Sequence, residues 1–436
     1  MTLFIEVSLN HFKKIYPIGK GGFGRVWKIK ARKDHFDSDS NGYYALKEMS
    51  KVLIYIKRSI QPILNERKFL EILNHPFLSN MHYAFETKEN LCIIMDYFSG
   101  GDLRYHICKR PHFTEKEVKF ITANILIALQ YIHANHIIHR DLKPENLVFD
   151  NKGYLHLTDF GIAHEYYVGD LIMDSSGTPG YMSPEVMVKQ PHNFAVDFYS
   201  LGVIIHELMT GKRPYSGTSR KDLKEQMAVK ETKLKSSNLP KKWKDGSVID
   251  LVNGLLKRKW NERLGARGVE EVMRHPWLKD IDWTSIKLQK ATSPFVFHSE
   301  DNFDEGYANK KIESKYEENK EYYLSVINAS KYFKFFYYDE RYANKDSSTG
   351  RSKNCTSSSS NKNLVLKKLS TTYKLKEKNI RNPSVKELFS TRSVSPFLPP
   401  IERKKISLQD DEGETSNIEP LSVKISRRNS HSSRLN

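Results

Sequence analysis

Residues 137–149 read IIHRDLKPENLVF, and residues 155–161 read LHLTDFG. Each is a short apolar run joined to polar groups that an ordinary strand does not carry. Asp141 can accept a proton from an incoming hydroxyl. Asn146, five residues later, offers a carboxamide oxygen to a divalent cation. Asp159, eighteen residues after Asp141, puts a carboxylate at a strand end beside Gly161, where a metal and phosphates can meet. Read singly, each has a structural alternative as a polar group satisfied by its neighbours. Their joint order and spacing is much harder to obtain from packing alone.

The flanking sequence is of two kinds. Residues 13–97 alternate apolar and polar in short runs such as YYALKEM and NLCIIMDYF, which read as strands. One helical pattern interrupts them, SIQPILNERKFLEIL, with Ile63, Leu64, Leu70 and Leu73 at helical spacing. From about residue 100 the pattern is helical. Thr114 and Glu117 form a capping box before one long helix, and FAVDFYSLGVIIHELMTG is another, closed by Gly211. A small β-rich half followed by a large α-rich half implies α+β architecture with a ligand cleft between the halves. In the first half, Gly19-x-Gly21-x-x-Gly24 lets backbone N–H groups approach phosphates, although glycine hairpins are common. Strand-like sequence follows it, which argues against a dinucleotide fold. Lys47 sits in an apolar strand and Glu66 lies nineteen residues later on the predicted helix. The alternatives are a solvated edge lysine and an ordinary exposed glutamate.

From Phe12 to Trp277 the chain resembles a eukaryotic protein kinase. The Gly-rich loop, Lys47, Glu66, HRDLKPEN, DFG and a Ser183-Pro184-Glu185 variant of the A-P-E motif stand in order. The resemblance implies the bilobal kinase fold, with a small antiparallel β-sheet lobe and a large α-helical lobe. It implies ATP and Mg2+, with transfer of the γ-phosphoryl group to Ser or Thr hydroxyls of protein substrates. In that family Asp141 would be the catalytic base and Lys143 would steady the γ-phosphate. Lys47, held by Glu66, would position the other phosphates, and Asn146 and Asp159 would hold magnesium. Gly19, Gly21 and Gly24 would cover the phosphates. Adenine would lie under Val26 and Ala45, with Met95 controlling access behind it and Asp102 near the ribose. Asp197 resembles the residue that braces the catalytic loop, and Arg263 the partner of Glu185. Lys143, two residues after Asp141, follows the serine/threonine pattern.

LNERKFLEILNHPFL, GTPGYMSPE and ERLGARGVEEVMRHPWL are similar to the AGC group, which includes the cAMP-dependent kinase. GGDLRYH and FAVDFYSLGV are similar to the YANK subfamily. Pro294-Phe295, Asn302-Phe303-Asp304 and Phe333 to Tyr338 resemble the tail that such kinases wrap round the small lobe. Tyr337 stands where a phosphorylated Ser or Thr often does, and FKFFYYDE is also readable as an amphipathic strand. The expected division is an extension at 1–11, a kinase domain at 12–278 (12–97 small lobe, 98–278 large lobe), an AGC-type tail at 279–340 and a basic Ser/Lys-rich tail at 341–436. In MDSSGTPGYMSPE, Asp174 falls where related kinases carry a phosphorylated threonine, with Arg140 and His164 as its expected partners. The alternative makes Ser175 or Ser176 the regulatory site. Asp102 and Glu145, with Glu225 as a weaker third, imply a preference for Arg or Lys before the target hydroxyl.

The formal charge is +18, and residues 341–436 hold +11 of it, from 20 Lys/Arg against 9 Asp/Glu. The excess therefore belongs largely to a segment expected to be disordered, where it suits anionic membrane contact. Lys and Ser alternate there without aromatic platforms, so specific nucleic-acid recognition is not expected. Ser370, Ser407 and Ser430 follow paired basic residues and are candidate self-phosphorylation sites. Thr2 excludes myristoylation, no signal peptide is expected, and Cys92, Cys108 and Cys355 form no metal pattern. A monomer in the cytoplasm or nucleus is the resulting expectation. A non-catalytic scaffold is the rival reading, and the filled catalytic positions argue against it.

Overall fold

The computed structural model describes residues 6–343 except 33–41, 111, 168, 171, 218, 230–231, 239–242, 244–245, 298–301, 304 and 309–318. Residues 344–436, with Ser370, Ser407, Ser430 and nearly all of the basic tail, lie outside the described residues, as does Asp304.

Period-two alternation builds the small lobe. Strands β1 (Phe12–Lys20), β2 (Gly24–Ala31), β3 (Tyr43–Ser50), β4 (Met81–Glu86) and β5 (Asn90–Asp96) pair antiparallel in the order β1-β2-β3-β5-β4. On β5, Leu91 and Ile93 join the main core with Ile63, Phe69 and Leu70, while Cys92 and Ile94 join a second cluster with Phe12, Ile29, Leu46 and Tyr83. Successive side chains thus serve opposite faces of one sheet. The expected helix is present as α2 (Ile60–Ile72), with Ile63, Leu70 and Leu73 buried and Leu64 partly so. A helix not expected from the sequence, α1 (Lys51–Ile56), precedes it. Its KVLIYI is an apolar run too short and too β-branched to separate helix from strand by pattern. The Ser50 side chain accepts from Leu53 N at 3.4 Å and opens that helix.

The large lobe hangs from α4 (Glu115–Ala134), after β6 (Gly101–Asp102) and α3 (Leu103–Lys109). Thr114 and Glu117 form the expected box: Thr114 N donates to Glu117 Oε2 at 2.7 Å, and Glu117 N to Thr114 Oγ1 at 3.3 Å. Strand β7 (Ile137–Ile138) precedes the catalytic-loop sequence. The hairpin β8 (Leu147–Phe149) and β9 (Leu155–Leu157) pairs with β6, and β10 (His164–Glu165) pairs with β7. Then come α5 (Pro184–Met187), α6 (Ala195–Thr210), α7 (Arg220–Val229) and α8 (Ser247–Leu255). Helix α6 is buried from Ala195 to Met209 and ends at Gly211, whose φ of 72° favours glycine. Among the described residues no helix is long and apolar enough to cross a membrane.

The chain after the large lobe runs back to the small one. Phe295 packs among Phe113, Phe120 and Phe149. Asn302 N donates to Ser99 O at 3.0 Å, and Phe303 stacks on Tyr16 of β1 with centroids 5.4 Å apart. Helix 320–330 lies against α1 with Leu324 and Ile327 buried. Phe333 and Phe336 are buried in the main core, whereas Phe335 is exposed. Most of FKFFYYDE is therefore a turn anchored by two rings. Only Tyr338–Asp339 forms a strand, β11, paired with Ala84 and Tyr83 of β4. Arg67 of α2 donates to the carbonyls of Phe336 at 3.1 Å and Tyr337 at 2.7 Å.

His82 on β4 joins this tail to the sheet. One ring nitrogen lies 2.8 Å from Asp96, the other 2.8 Å from Glu340. Burial works against its charge, but the two carboxylates prevail and raise its pKa to about 9. Tyr44 and Tyr83 are the rings beside it. Because the folded value lies above the ordinary 6.5, the stabilisation is complete below about pH 6.5 and fades as pH rises through about 9. We predict that wild-type protein melts above His82→Gln at pH 6.5 and that the two melting temperatures converge by about pH 9.5. Parallel curves across that range would show that the imidazolium does not hold the tail.

Candidate active site

Register places the nucleotide-facing candidates. Gly19 opposes Val26, Val26 opposes Lys47, and Ala45 opposes Met95. Ala45 and Lys47, two apart on β3, share one face of the sheet. At Gly24 a Cβ would come within 1.8 Å of the Glu48 carbonyl oxygen, so glycine lets β2 close on β3. A Cβ at Gly22 would meet nothing within 4 Å, and one at Gly21 only the Gly24 carbonyl at 3.9 Å. The tip thus leaves room for a phosphate chain, although the Gly21 N–H itself donates to the Gly24 carbonyl at 2.9 Å.

Lys47 Nζ donates to Glu66 Oε1 at 2.5 Å and to Asp159 Oδ1 at 2.9 Å. Glu66, on α2, is 1% exposed, and burial raises its pKa although Lys47 opposes the shift. The Lys47 ammonium holds Asp159 down at about 2. Burial would lower the lysine's own pKa, but the two carboxylates overcome it and raise the value. Asp159 itself takes a φ of 63°, a left-handed conformation that turns its carboxylate toward Lys47.

The catalytic-loop candidates converge on Asp141. Lys143 Nζ lies 2.7 Å from Asp141 Oδ2, and Asn146 Nδ2 donates to Asp141 O at 2.9 Å. The Asn146 amide nitrogen is thereby tied down, which leaves its oxygen for a cation. Thr178, which the sequence did not single out, donates through both N and Oγ1 to Asp141 Oδ1, at 2.9 and 2.7 Å. It also accepts from Lys143 at 2.8 Å. No group of three or more His, Cys, Asp or Glu able to hold a metal exists among the described residues. Asn146 and Asp159 fit magnesium, which commonly takes one or two protein ligands and completes its shell with phosphates and water.

Two buried carboxylates set the frame. Asp197 accepts from the backbone N–H of His139 at 3.0 Å and of Arg140 at 2.8 Å, and meets His133 Nε2 at 2.8 Å. Burial pushes its pKa up, but these donors hold it below the ordinary value. Glu185 receives both Arg263 Nη1 and Nη2, at 2.8 and 2.9 Å, out of solvent. Asp102 caps α3 by accepting from Tyr105 N at 2.8 Å, and burial, with Glu145 adding, raises its pKa to about 6.

A protein kinase domain model matches residues 12–278. The chain belongs to the protein kinase family, in its AGC serine/threonine group. A probable serine/threonine-protein kinase of Dictyostelium discoideum is 37% identical over 292 residues, 67% of this chain and 61% of that protein. Serine/threonine-protein kinase sgk-1 of Caenorhabditis elegans is 33% identical over 293 residues, 66% of this chain and 60% of its own. Human ribosomal protein S6 kinase alpha-2 is 36% identical over 306 residues, 69% of this chain and 40% of its own. The chain thus spans 40% to 61% of the length of these three relatives.

In this kinase Arg140 joins the catalytic loop to the segment after Asp159. It takes a φ of 66°, donates through Nε to Ile162 O at 2.7 Å, and holds Asp174 Oδ1 with Nη1 at 2.5 Å. Burial would raise the Asp174 pKa, yet Arg140 keeps it low. His164, the other expected partner, instead meets the Glu165 carbonyl at 2.5 Å, because pairing of β10 with β7 fixes its direction. The Ser175 hydroxyl donates to Val186 O at 2.7 Å and accepts from Arg220. Glu225, the weak third carboxylate, is exposed on α7. The carboxylate that shares a cation with Glu145 is Glu207 of α6, through Arg104.

We predict that Asp174→Asn in unphosphorylated protein lowers basal phosphoryl transfer by about tenfold or more, since a charge-assisted bond carries about 1.5–3 kcal/mol. Peptide turnover by phosphatase-treated protein checks this. A rate left untouched, with Ser175→Ala abolishing activation by an upstream kinase, would assign control to Ser175.

Proposed function

We propose that the chain transfers the γ-phosphoryl group of ATP to Ser and Thr hydroxyls of protein substrates in intracellular signalling. The observation that carries this reading is Lys47 bonded at once to Glu66 and Asp159. One contact fixes the ammonium that would meet the α- and β-phosphates and the carboxylate that would hold magnesium. Magnesium, when bound, neutralises charge on the phosphates. Asn146 and Asp159 would hold it, and Gly19, Gly21 and Gly24 would cover the phosphate chain. Val26, Ala45 and Met95 would enclose the adenine, and Asp102 lies at the start of α3 for the ribose.

Asp141 is the proton acceptor in this reading. Its Oδ1 already takes a hydroxyl hydrogen bond from Thr178 at 2.7 Å, the geometry an incoming Ser or Thr would need. Lys143 lies beside it to steady the transferring group. Positioning and electrostatic complementarity do most of the work in such chemistry.

Replacing Lys47 with Met or Asp159 with Asn should lower turnover by about 10²-fold or more, the scale of losing one preorganised charge partner. Cooperative unfolding should persist, because Glu66 freed of Lys47 can take up a proton in its apolar surroundings. Near-normal turnover in either variant would remove that residue from the site.

The finer part of this reading is a preference for Arg or Lys two or three residues before the target hydroxyl. Its support is the pair Asp102 and Glu145, close enough that Glu145 contributes to the raised Asp102 pKa. A peptide array should rank basic peptides above acidic or proline-flanked ones, and the reverse order would sink the preference.

A further inference from the structure

Arg104 of α3 has carboxylate or phenol partners on every side of its guanidinium. Nε donates to Glu145 Oε1 at 2.9 Å, Nη1 to Glu207 Oε1 at 3.0 Å and Nη2 to Glu207 Oε2 at 3.3 Å. Nη2 also donates to the Tyr181 hydroxyl, which in turn donates to Glu207 Oε2 at 2.5 Å. The cluster's four residues, Arg104 and its three partners, come from four places in the fold: α3, the turn after Lys143, the segment after Thr178, and α6. Glu145 lies between Pro144 and Asn146, and Tyr181 is three residues past Thr178. The cluster therefore borders both segments that grip Asp141. Glu207 is 7% exposed and Glu145 is 43% exposed, so the slot is open on the Glu145 side and closed at its floor.

A carboxylate pair spaced to bind one fork of N–H donors is a guanidinium site. Here a residue of the kinase itself fills it. We propose that Arg104 is a specificity-determining residue: it occupies the guanidinium slot between Glu145 and Glu207 that a substrate arginine would take, and so restrains selection for arginine before the target hydroxyl. This rests on the proposed approach of basic substrate residues toward Glu145. With Arg104 in place, an incoming arginine meets the outer face of Glu145 and Asp102, and both Glu207 oxygens are already hydrogen-bonded to Arg104. Removing the Arg104 side chain leaves two carboxylates around a vacancy of guanidinium shape. A purely structural brace between α3 and α6 would behave differently, because its loss would weaken the binding of every peptide alike.

The experiment uses the full chain and two fluorescent peptides that differ only in Arg or Ala two and three residues before the serine. Peptide Kd is read by anisotropy, and kcat and KM by turnover at saturating ATP. In Arg104→Ala the arginine peptide should bind about tenfold tighter than to wild type, and its KM should fall in step. The alanine peptide should keep its Kd, KM and kcat within about twofold. Millimolar guanidinium chloride should raise the arginine peptide's Kd in Arg104→Ala but not in wild type. Equal weakening of both peptides, or an unchanged ratio, overturns the proposal and leaves Arg104 as a brace. If Arg104→Ala does not unfold cooperatively, Arg104→Gln, which keeps a donor for Glu207, is read by the same ratio. Wild type that turns over neither peptide would sink the kinase reading, while the anisotropy ratio would still decide the role of Arg104.

Discussion

A buried carboxylate, Asp197, organises the catalytic half. Its two oxygens take the backbone N–H groups of His139 and Arg140, so neither donor is orphaned where the chain turns out of β7. The turn requires a φ of 66° at Arg140, an uncommon conformation for a residue with a long side chain. Once that conformation is held, Arg140 points at Ile162 and Asp174, and Asp141 emerges beside Lys143 and Asn146. Local strain at a functional loop is sustained because the surroundings over-determine it. Arg263 plays a parallel part lower in the lobe, fixing Glu185 while also donating to Ala195 O at 2.9 Å.

Electrostatics joins the lobes. Glu66 brings a carboxylate from α2, Asp159 one from the large lobe, and the Lys47 ammonium donates to both. Lys68, two residues on from Glu66, pairs with Glu165 of β10 at 2.5 Å, so α2 is held to the large lobe twice. Glu66 is buried, and a buried charge left without its partner is costly, which favours keeping Lys47 beside it; the partly exposed Lys68–Glu165 pair adds less. Within the large lobe, Arg140 with Asp174 adds an ion pair of its own, supplied by an arginine that stays charged at neutral pH. The loop carrying Thr178 is thus ordered by side chains the chain already has.

The tail extends the same logic to the small lobe. Phe333 and Phe336 supply apolar burial, Arg67 satisfies two carbonyls, and β11 adds a strand to the edge of the sheet. Strand addition meets the unpaired backbone groups of β4, which an exposed edge would leave open to other chains. The Tyr337 hydroxyl accepts from Val7 N at 3.2 Å, so the segment ahead of β1 is joined to the tail as well. In this arrangement docking draws on rings, backbone and an imidazolium, all present in the unmodified chain.

Much of the site was legible in the sequence because its chemistry tolerates few substitutes. Motif spacing singled out Gly24, Lys47, Glu66, Asp141, Asn146, Asp159 and Asp197, and the structure brings Lys47 into direct contact with Glu66 and Asp159. The capping box at Thr114 was legible for a similar reason, since its partners are three residues apart. Helix α1 was not, because a run of five apolar residues after Lys51 fits strand and helix equally until it meets the tail helix. Thr178 and the partners of His164 and Glu145 were also out of reach. Each depends on contacts between segments 35 or more residues apart, or on the direction a short strand gives a side chain. Sequence alone determined which reactive groups this chain owns and their order, since local spacing is written into it. Tertiary structure decided which of those groups are already paired, Arg104 with Glu145 and Glu207 and Arg140 with Asp174, because pairing follows from distances that only the packed fold creates.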